Sequence, residues 1–146
     1  MVWLVIILIV ALDQLTKYYI SLNMFPETSL PVINGIFHIT YVLNPGAAFG
    51  LFKYKTGFFL AIAVVLIALV AYLYPRLPKQ RIYLRWGMTL MTSGAVGNVI
   101  DRLRTGYVVD FFDFRIWPVF NVADIAIVCG VALMTWDIWQ SDRVKE

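Results

Sequence analysis

The sequence of 146 residues contains a single cysteine, Cys129, and a single histidine, His38. One cysteine cannot form an intrachain disulfide, and these two residues cannot build an HExxH zinc site or a Cys/His metal cluster. The number of ligands therefore excludes such a metalloprotease, and we expect no metal site. Because Cys129 lies in an apolar run, we interpret it as a packed thiol. We expect His38 to be a hydrogen-bonded loop or strand residue and not a catalytic base.

Charged residues are also scarce. They make up 14% of the chain and hydrophobic residues 61%, against about 25% and about 45–50% in ordinary soluble domains. So few charges cannot cover such an apolar interior in water, and the same composition excludes a disordered chain. The sequence therefore predicts a small multi-pass membrane protein. Its net charge of +3 indicates no nucleic-acid partner.

Four apolar segments predict an all-α membrane protein with one domain over residues 1–146. Residues 57–74 are uncharged for 18 residues and meet the length of a membrane helix without further argument. The first segment lacks a basic start and a small-residue cleavage motif, which indicates a retained helix and not a secretory signal. The predicted transmembrane helices cover residues 1–22, 57–74, 84–101 and 121–139.

Basic residues predict the orientation in the membrane. The short connection 75–85 contains four basic residues and no acidic one, so the positive-inside rule places it and both termini in the cytoplasm. The cytoplasmic side then has six basic residues and the opposite side has five. The cytoplasmic set is Arg76, Lys79, Arg81, Arg85, Arg143 and Lys145, and the opposite set is Lys53, Lys55, Arg102, Arg104 and Arg115.

The connection over residues 28–56 predicts a small extracytoplasmic β-sheet that caps the helices. Asn34-Gly35 is the residue pair preferred in a type I′ hairpin turn, and short apolar or alternating runs flank it. Asn44-Pro45-Gly46 ends the second run. We expect the apolar residues 47–52 to lie against the sheet or the membrane interface.

Aspartates inside apolar segments are functional candidates, because an ionised carboxylate in a bilayer is costly. Asp13 precedes Lys17 by four residues, so both lie on one helix face and are interpreted as an internal ion pair. Arg102 follows Asp101 directly, and we interpret these two as a second structural pair.

Small and polar residues at helical spacing indicate a contact face on the third helix. Small side chains allow another helix backbone to approach closely. We therefore predict that this face packs against a neighbouring helix. It contains Gly94, Gly97, Asn98 and Asp101.

The remaining acidic residues lie near the start of the fourth helix and just before it. Asn121 is a plausible N-cap, and Asp124, three residues later, falls in the positive first turn. Asp110 and Asp113 both lie among bulky apolar residues, and spacing does not choose between them. Two carboxylates about 4 Å apart repel by roughly 4 kcal/mol at an effective dielectric near 20, so they share one proton near neutral pH. Such a pair can hydrolyse an amide without histidine or metal.

Five motifs in order identify a family. They are DQLTK at 13–17, NPGAAFG at 44–50, GNVIDR at 97–102, VVDF at 108–111 and FNVAD at 120–124. Over essentially its whole length the sequence resembles bacterial prolipoprotein signal peptidase, also called signal peptidase II. The resemblance implies a four-helix aspartyl endopeptidase of the bacterial inner membrane, without a cofactor, whose catalytic dyad is Asp110 and Asp124. It thereby favours Asp110 over Asp113.

The resemblance also implies a substrate and supporting residues. The substrate is a lipoprotein precursor with diacylglyceryl on its lipobox cysteine, and cleavage immediately before that cysteine releases the signal peptide. The implied partners are thus lipid-modified signal peptides and membrane lipids. The implied active site lies near the extracytoplasmic face. We expect the cap to clamp the extended segment around the scissile bond there. The residues implied to support the site or contact substrate are Asp13, Lys17, Asn44, Asn98, Asp101, Arg102 and Asn121.

Two other functions remain open at this point. A small proton-coupled transporter or channel subunit would use Asp13, Asp101, Asp110 and Asp124 as a relay. A Ser/Lys peptidase would use Ser21 and Lys17, which lie four residues apart. The sequence predicts no particular oligomeric state.

Overall fold

The computed structural model describes residues 2–46 and 55–143, which form four long helices and one three-stranded sheet. The expectation for residues 47–52 lies outside the described residues. A short 3-10 turn, Tyr74–Arg76, follows the second helix. In chain order the elements are α1 (Val2–Asn23), β1 (Ser29–Ile33), β2 (Phe37–Asn44), α2 (Thr56–Leu73), α3 (Ile82–Thr105), β3 (Val108–Asp113) and α4 (Val122–Arg143).

Three of these helices are long and apolar enough to cross a membrane. They are α1, α4, and the segment Thr56–Arg76, which consists of α2 and the 3-10 turn after it. Few of their residues are buried inside the protein, and large apolar side chains such as Leu8 and Val65 are exposed on their surfaces. Such surfaces are stable in contact with lipid, because lipid tails are as apolar as the side chains.

Helix α3 differs, because it packs against α1, α2 and α4 and buries polar side chains. Thr89, Ser93 and Asn98 are all at most 8% exposed. Ser93 and Thr89 hydrogen-bond to backbone carbonyls one turn earlier, which satisfies their hydroxyl groups inside the bundle. α3 is thus the central helix, and the other three surround it.

The contact face predicted on α3 is confirmed. A Cβ atom added at Gly94 would overlap the carbonyl oxygen of Ala123 in α4, and one added at Gly87 would lie 2.6 Å from the carbonyl oxygen of Gly130. Gly97 faces the carboxylate of Asp13 in α1. The backbones of α3 and α4 therefore approach more closely than any larger residue at these positions would allow.

We expect Gly94→Ala to destabilise the protein by about 1–3 kcal/mol, because the added methyl group forces α3 and α4 apart. Gly57→Ala is the matched control, since a Cβ atom there meets nothing within 4 Å. Thermal unfolding of the purified protein in detergent measures both. Equal melting temperatures for the two variants would contradict the close approach of α3 and α4.

The sheet is antiparallel in the order β1-β2-β3. The predicted hairpin is present, but the predicted type I′ turn is wrong. Ile33 pairs with Phe37, so three residues form the loop, and the Ile36 amide donates to the Ile33 carbonyl oxygen. Gly35 has φ 73°, whereas Asn34 is not among the described residues with positive φ. A type I′ turn needs positive φ at both central residues, and the three-residue loop needs it only at the glycine.

Strand β3 was not predicted from the sequence, and it extends the cap to three strands. It pairs with β2, so that Val42 lies opposite Asp110 and Asn44 opposite Val108. The pairing shifts between Ile39 and Val42, which marks a β-bulge. The face of the sheet that packs on α1 forms the apolar core, with Ile20, Tyr41, Val109 and Phe111.

Candidate active site

Strand β3 positions Asp110. Its neighbours Val109 and Phe111 belong to the apolar core, and because side chains alternate along a strand, Asp110 faces the other side of the sheet. There the Asn44 amide donates a hydrogen bond of 2.9 Å to one carboxylate oxygen, and the Asn121 amide donates one of 2.6 Å to the other. Asp110 is only 2% exposed.

The first turn of α4 positions Asp124. The Asp124 backbone amide donates to Oδ1 of Asn121 at 2.9 Å, and the Asn121 backbone amide donates back to Oδ2 of Asp124 at 3.2 Å. This reciprocal pattern is a capping box, so the prediction of Asn121 as the N-cap is confirmed. Asn98 in α3 donates to the other oxygen, Oδ1, at 2.8 Å. The carboxylate of Asp124 is therefore held between two helices.

Asp110 and Asp124 line one cavity of about 380 Å³, together with Asn44, Asn98 and Arg102. The two aspartates come from separate elements, and Asn121 bonds both of them, as acceptor for the Asp124 amide and as donor to the Asp110 carboxylate. Burial and the nearby negative charge of Asp124 raise the pKa of Asp110 to about 7. A carboxyl group with this pKa exchanges a proton near neutral pH, which general acid–base catalysis requires.

Asp113 lies elsewhere. Its carboxylate accepts hydrogen bonds from the Thr40 hydroxyl at 2.7 Å and from the Arg115 backbone amide at 2.8 Å, and it pairs with the Arg115 guanidinium at 3.0 Å. Although burial opposes its ionisation, these hydrogen bonds and this charge lower the pKa of Asp113. Asp113 does not line the cavity, so of the two candidates in β3 only Asp110 accompanies Asp124 there.

A buried polar network lies behind the cavity. Lys17 Nζ is 2.9 Å from Asp13 Oδ2, which confirms the predicted pair, and 2.8 Å from Asp101 Oδ2. It also donates to Asn98 Oδ1 at 3.0 Å, and Lys17 is 3% exposed. The predicted pairing of Asp101 with Arg102 is wrong as a direct ion pair, since among the described residues the cation at ion-pair distance from Asp101 is Lys17. Adjacent residues on a helix point in different directions, and Asp101 turns inward to the ammonium group of α1.

Arg102 faces the cavity instead. It donates a hydrogen bond of 2.9 Å to the carbonyl oxygen of Gly46, and its guanidinium lies 4.7 Å from the ring centre of Phe59. Arg102 also interacts electrostatically with Asp110, with Asp124 and, more weakly, with Asp101. It therefore links α3 to α2 and to the end of the β2 strand while supplying a positive charge beside two acidic residues.

The long-range hydrogen bonds of two residues at this site, Asp13 and Gln14, were not predicted from the sequence. Asp13 Oδ1 accepts a hydrogen bond of 2.9 Å from the Ala123 backbone amide, so α1 also caps the start of α4. Gln14 donates to Asp101 Oδ1 at 2.8 Å and to the Gly97 carbonyl oxygen at 3.2 Å. The spacing of Asp13 and Gln14 predicts only contacts within α1, and both contacts reach residues far away in the chain.

The geometry does not favour the Ser/Lys alternative. The Ser21 hydroxyl donates to the Lys17 carbonyl oxygen at 2.8 Å, and the Lys17 ammonium group is bound by two carboxylates. A lysine in that position is not a free base. His38 lies in β2 with Nδ1 3.1 Å from the Ser29 hydroxyl, so the prediction of a hydrogen-bonded strand residue is confirmed.

Comparison with known proteins decides the family. The sequence model of the family described as signal peptidase (SPase) II matches residues 5–140. The chain belongs to the signal peptidase II family. It is thus a member of a family of proteases, as the five motifs indicated.

Curated relatives and solved structures agree with signal peptidase II. The lipoprotein signal peptidase of Moorella thermoacetica is 53% identical over 135 residues, which cover 92% of this chain and 90% of the relative. That of Halothermothrix orenii is 44% identical over the full length of both chains. A bacterial membrane enzyme solved by the in meso method at 2.3 Å resolution superimposes with a TM-score of 0.93 at 33% identity, covering 99% of this chain and 91% of that one.

Proposed function

We propose that the protein is an intramembrane aspartic endopeptidase that removes the signal peptide from diacylglyceryl-modified prolipoproteins by cleaving before the lipidated cysteine. Relatives named lipoprotein signal peptidase support the substrate class. The observation on which the aspartic mechanism depends is that Asp110 and Asp124 line one cavity with their carboxylates oriented by asparagine amides. Together these two residues form the proposed catalytic dyad.

The dyad divides the proton transfers between its members. Asp110, with a pKa of about 7, holds the shared proton and donates a hydrogen bond to the scissile carbonyl oxygen. Asp124, at the positive end of the α4 dipole, acts as the carboxylate that accepts a proton from water. The water oxygen then bonds to the carbonyl carbon, and the Asp110 proton moves to the carbonyl oxygen.

The resulting tetrahedral diol collapses in a second step. The proton taken up by Asp124 moves to the amide nitrogen, the C–N bond breaks, and one diol proton returns to Asp110. The products are a carboxyl terminus on the signal peptide and a free amino group on the lipidated cysteine. Asp110 is protonated and Asp124 ionised again, so the dyad is ready for another substrate.

The supporting residues have separate roles in this proposal. Asn44, Asn98 and Asn121 orient the two carboxylates through direct hydrogen bonds. Lys17 with its two aspartates fixes α1 against α3, and Arg102 supplies positive charge at the edge of the cavity. Asp13, one of these two aspartates, also holds the first turn of α4. None of the seven supporting residues needs a metal or cofactor.

The membrane arrangement completes the proposal. Residues 1–146 form one domain. In addition to α1, α2 and α4, helix α3 crosses the membrane, because its 24 residues are about 36 Å long and its polar side chains face the other helices. Both termini lie in the cytoplasm of a bacterium and the protein spans the inner membrane. Asp110 and Asp124 then lie near the extracytoplasmic face, where water, the lipid chains of the substrate and the scissile bond meet, and the cap clamps the extended substrate segment.

The direct test is cleavage by the purified protein in detergent micelles, without an ion gradient. We expect a diacylglyceryl-modified precursor to be cut and mass spectrometry to identify an amino terminus at the modified cysteine. The same precursor without the diacylglyceryl group is the matched control and is expected to remain intact. Equal cleavage of both would reject the proposed substrate class, and a requirement for an ion gradient would favour the transporter alternative.

The pH dependence of cleavage tests the role of Asp110. Because its pKa is raised to about 7, Asp110 is protonated below that pH and loses its proton as the pH rises through it. We therefore expect kcat/KM to fall about tenfold per pH unit well above pH 7. A profile that stays flat to pH 9 would show that no group with this pKa supplies the acid.

A further inference from the structure

A second cavity, of about 270 Å³, lies on the other side of β3 from Asp110. Residues of α1 at helical spacing line it together with residues of α3, β2 and β3. Among them are Lys17, Tyr18 and Ser21 of α1, Asp101 and Arg104 of α3, Tyr41 of β2 and Val109 of β3. Because Val109 and Asp110 alternate across the sheet, this cavity is separate from the one that holds the proposed dyad.

The unpaired positive charge of this cavity comes from Arg104. Lys17 is bound by the carboxylates of Asp13 and Asp101, at 2.9 Å and 2.8 Å, and Asp101 also lines the cavity. Arg104 is exposed, and within residues 2–46 and 55–143 no carboxylate lies at ion-pair distance from it. An arginine without a carboxylate partner at a cavity wall is suited to bind a phosphate group, to which it donates paired hydrogen bonds.

Two phenol groups add hydrogen-bond donors. Tyr18 and Tyr41 both line the cavity, and among the described residues neither hydroxyl has a protein partner. Tyr41 is 7% exposed and its ring belongs to the apolar core, so the rest of its side chain is held in place. The cavity therefore combines the unpaired guanidinium of Arg104 with two phenol groups, beside the ion pair of Lys17 and Asp101.

The outer surface beside the cavity is apolar. Leu22 in α1 is 64% exposed and Leu103 in α3 is 68% exposed, and the ring of Tyr18 is also largely exposed. Tyrosine rings near helix ends are typical of the membrane–water interface, and exposed leucines beside them are suited to contact lipid. A ligand in this cavity can thus place a polar group on Arg104 while its apolar part follows α1 and α3.

We propose that this cavity binds one anionic phospholipid, with the headgroup phosphate on Arg104 and the hydroxyl of Tyr18 and the acyl chains along α1 and α3. On the cytoplasmic side of membranes, basic pockets between transmembrane helices bind lipid headgroups, and this cavity offers the same kinds of groups at the outer ends of α1 and α3. The lipid fills the groove between α1 and α3 beside the buried Lys17 network. This role is separate from that of the substrate, because the sheet divides the two cavities.

Native mass spectrometry tests the proposal. The full-length protein is mixed with dioleoyl phosphatidylglycerol in detergent and then released from the micelles. We expect one phospholipid molecule to stay bound under release conditions that remove all other lipid molecules. Arg104→Gln is expected to weaken this binding about fivefold, the effect of one basic residue near a membrane surface, and Tyr18→Phe to weaken it less. Lys55→Gln is the matched control, since Lys55 is also exposed, carries the same charge and does not line the cavity.

Two further ligands identify what is bound. Dioleoylglycerol has the same acyl chains without phosphate, and glycerol 3-phosphate has the phosphate without chains, so we expect neither to match the phospholipid. Equal retention of dioleoylglycerol, competition by glycerol 3-phosphate at the same concentration, or equal losses in Arg104→Gln and Lys55→Gln would each overturn the proposal. No readout depends on peptidase activity, so this test and the cleavage test fail independently.

Discussion

Asp110→Asn and Asp124→Asn are each expected to lower kcat/KM for a lipidated precursor by roughly 10²–10⁴-fold, because each removes one of the two groups proposed to transfer protons. The two losses should not add in the double variant, since neither carboxyl group works without the other. Cleavage of a diacylglyceryl-modified precursor, followed by mass spectrometry, measures all three variants. If Asp110→Asn retains a measurable cleavage rate, that rate should no longer fall as the pH rises above 7.

Asp113→Asn is the matched control for this experiment. It lies in the same strand as Asp110, but it pairs with Arg115 and does not line the cavity. We expect its activity to stay within about tenfold of the unchanged protein, with a small loss of stability from the broken pair. If Asp113→Asn were as inactive as Asp110→Asn, or if either dyad variant retained full cleavage, the assignment of the dyad would be wrong.

The folding of the dyad variants needs its own measurement. Asp110 accepts hydrogen bonds from two amide groups, Asn44 and Asn121, and the amide that replaces it can accept from only one of them. We therefore expect Asp110→Asn to lose some stability as well as activity. Circular dichroism and a melting curve in the assay detergent separate these effects, because a folded but inactive variant shows unchanged helix content at the assay temperature.

Lys17→Met is expected to have the largest effect on stability, a loss of about 3–5 kcal/mol. The substitution keeps the length and the apolar part of the side chain but leaves Asp13 and Asp101 buried without their cation, at 1% and 7% exposure. Each would then have to take up a proton or draw water into the bundle. Unfolding of the purified protein in mixed micelles measures the loss.

Two variants test whether the missing cation is the cause. Lys55→Met removes the same charge from an exposed position and should leave the melting temperature unchanged. Adding Asp101→Asn to Lys17→Met removes one of the uncompensated carboxylates, so the double variant should recover part of the loss. A Lys17→Met protein as stable as Lys55→Met, or a double variant less stable than Lys17→Met, would contradict a network held together by charge.

The sequence predicted the features that depend on nearby residues. The apolar runs predicted the helices, the order of Asp13 and Lys17 predicted their pair, and Asn121 before Asp124 predicted the cap, because each of these is decided within about one helical turn. The contact face around Gly94 followed from small residues at helical spacing. In each case local stereochemistry is sufficient.

Features that depend on distant partners were missed. Strand β3 forms only because Val108 and Asp110 pair with β2, and nothing nearby in the chain supplies that strand partner. Asp101 was assigned to its neighbour Arg102, but its cation is Lys17, from another helix. Spacing alone did not choose between Asp110 and Asp113 either. The choice depends on which residue the strand turns towards Asn44 and Asn121.

The central position of α3 also bears on how the protein is assembled. A segment with buried hydroxyl, amide and carboxylate groups gains little by entering lipid alone, since those groups would then lack the partners that α1 and α4 give them. The two glycine contacts that join it to α4 are available only once α4 has been synthesised. In the proposed arrangement with four transmembrane helices, we therefore expect stable insertion of α3 to require α4, so that a chain shortened before α4 would lose the stable insertion of both helices.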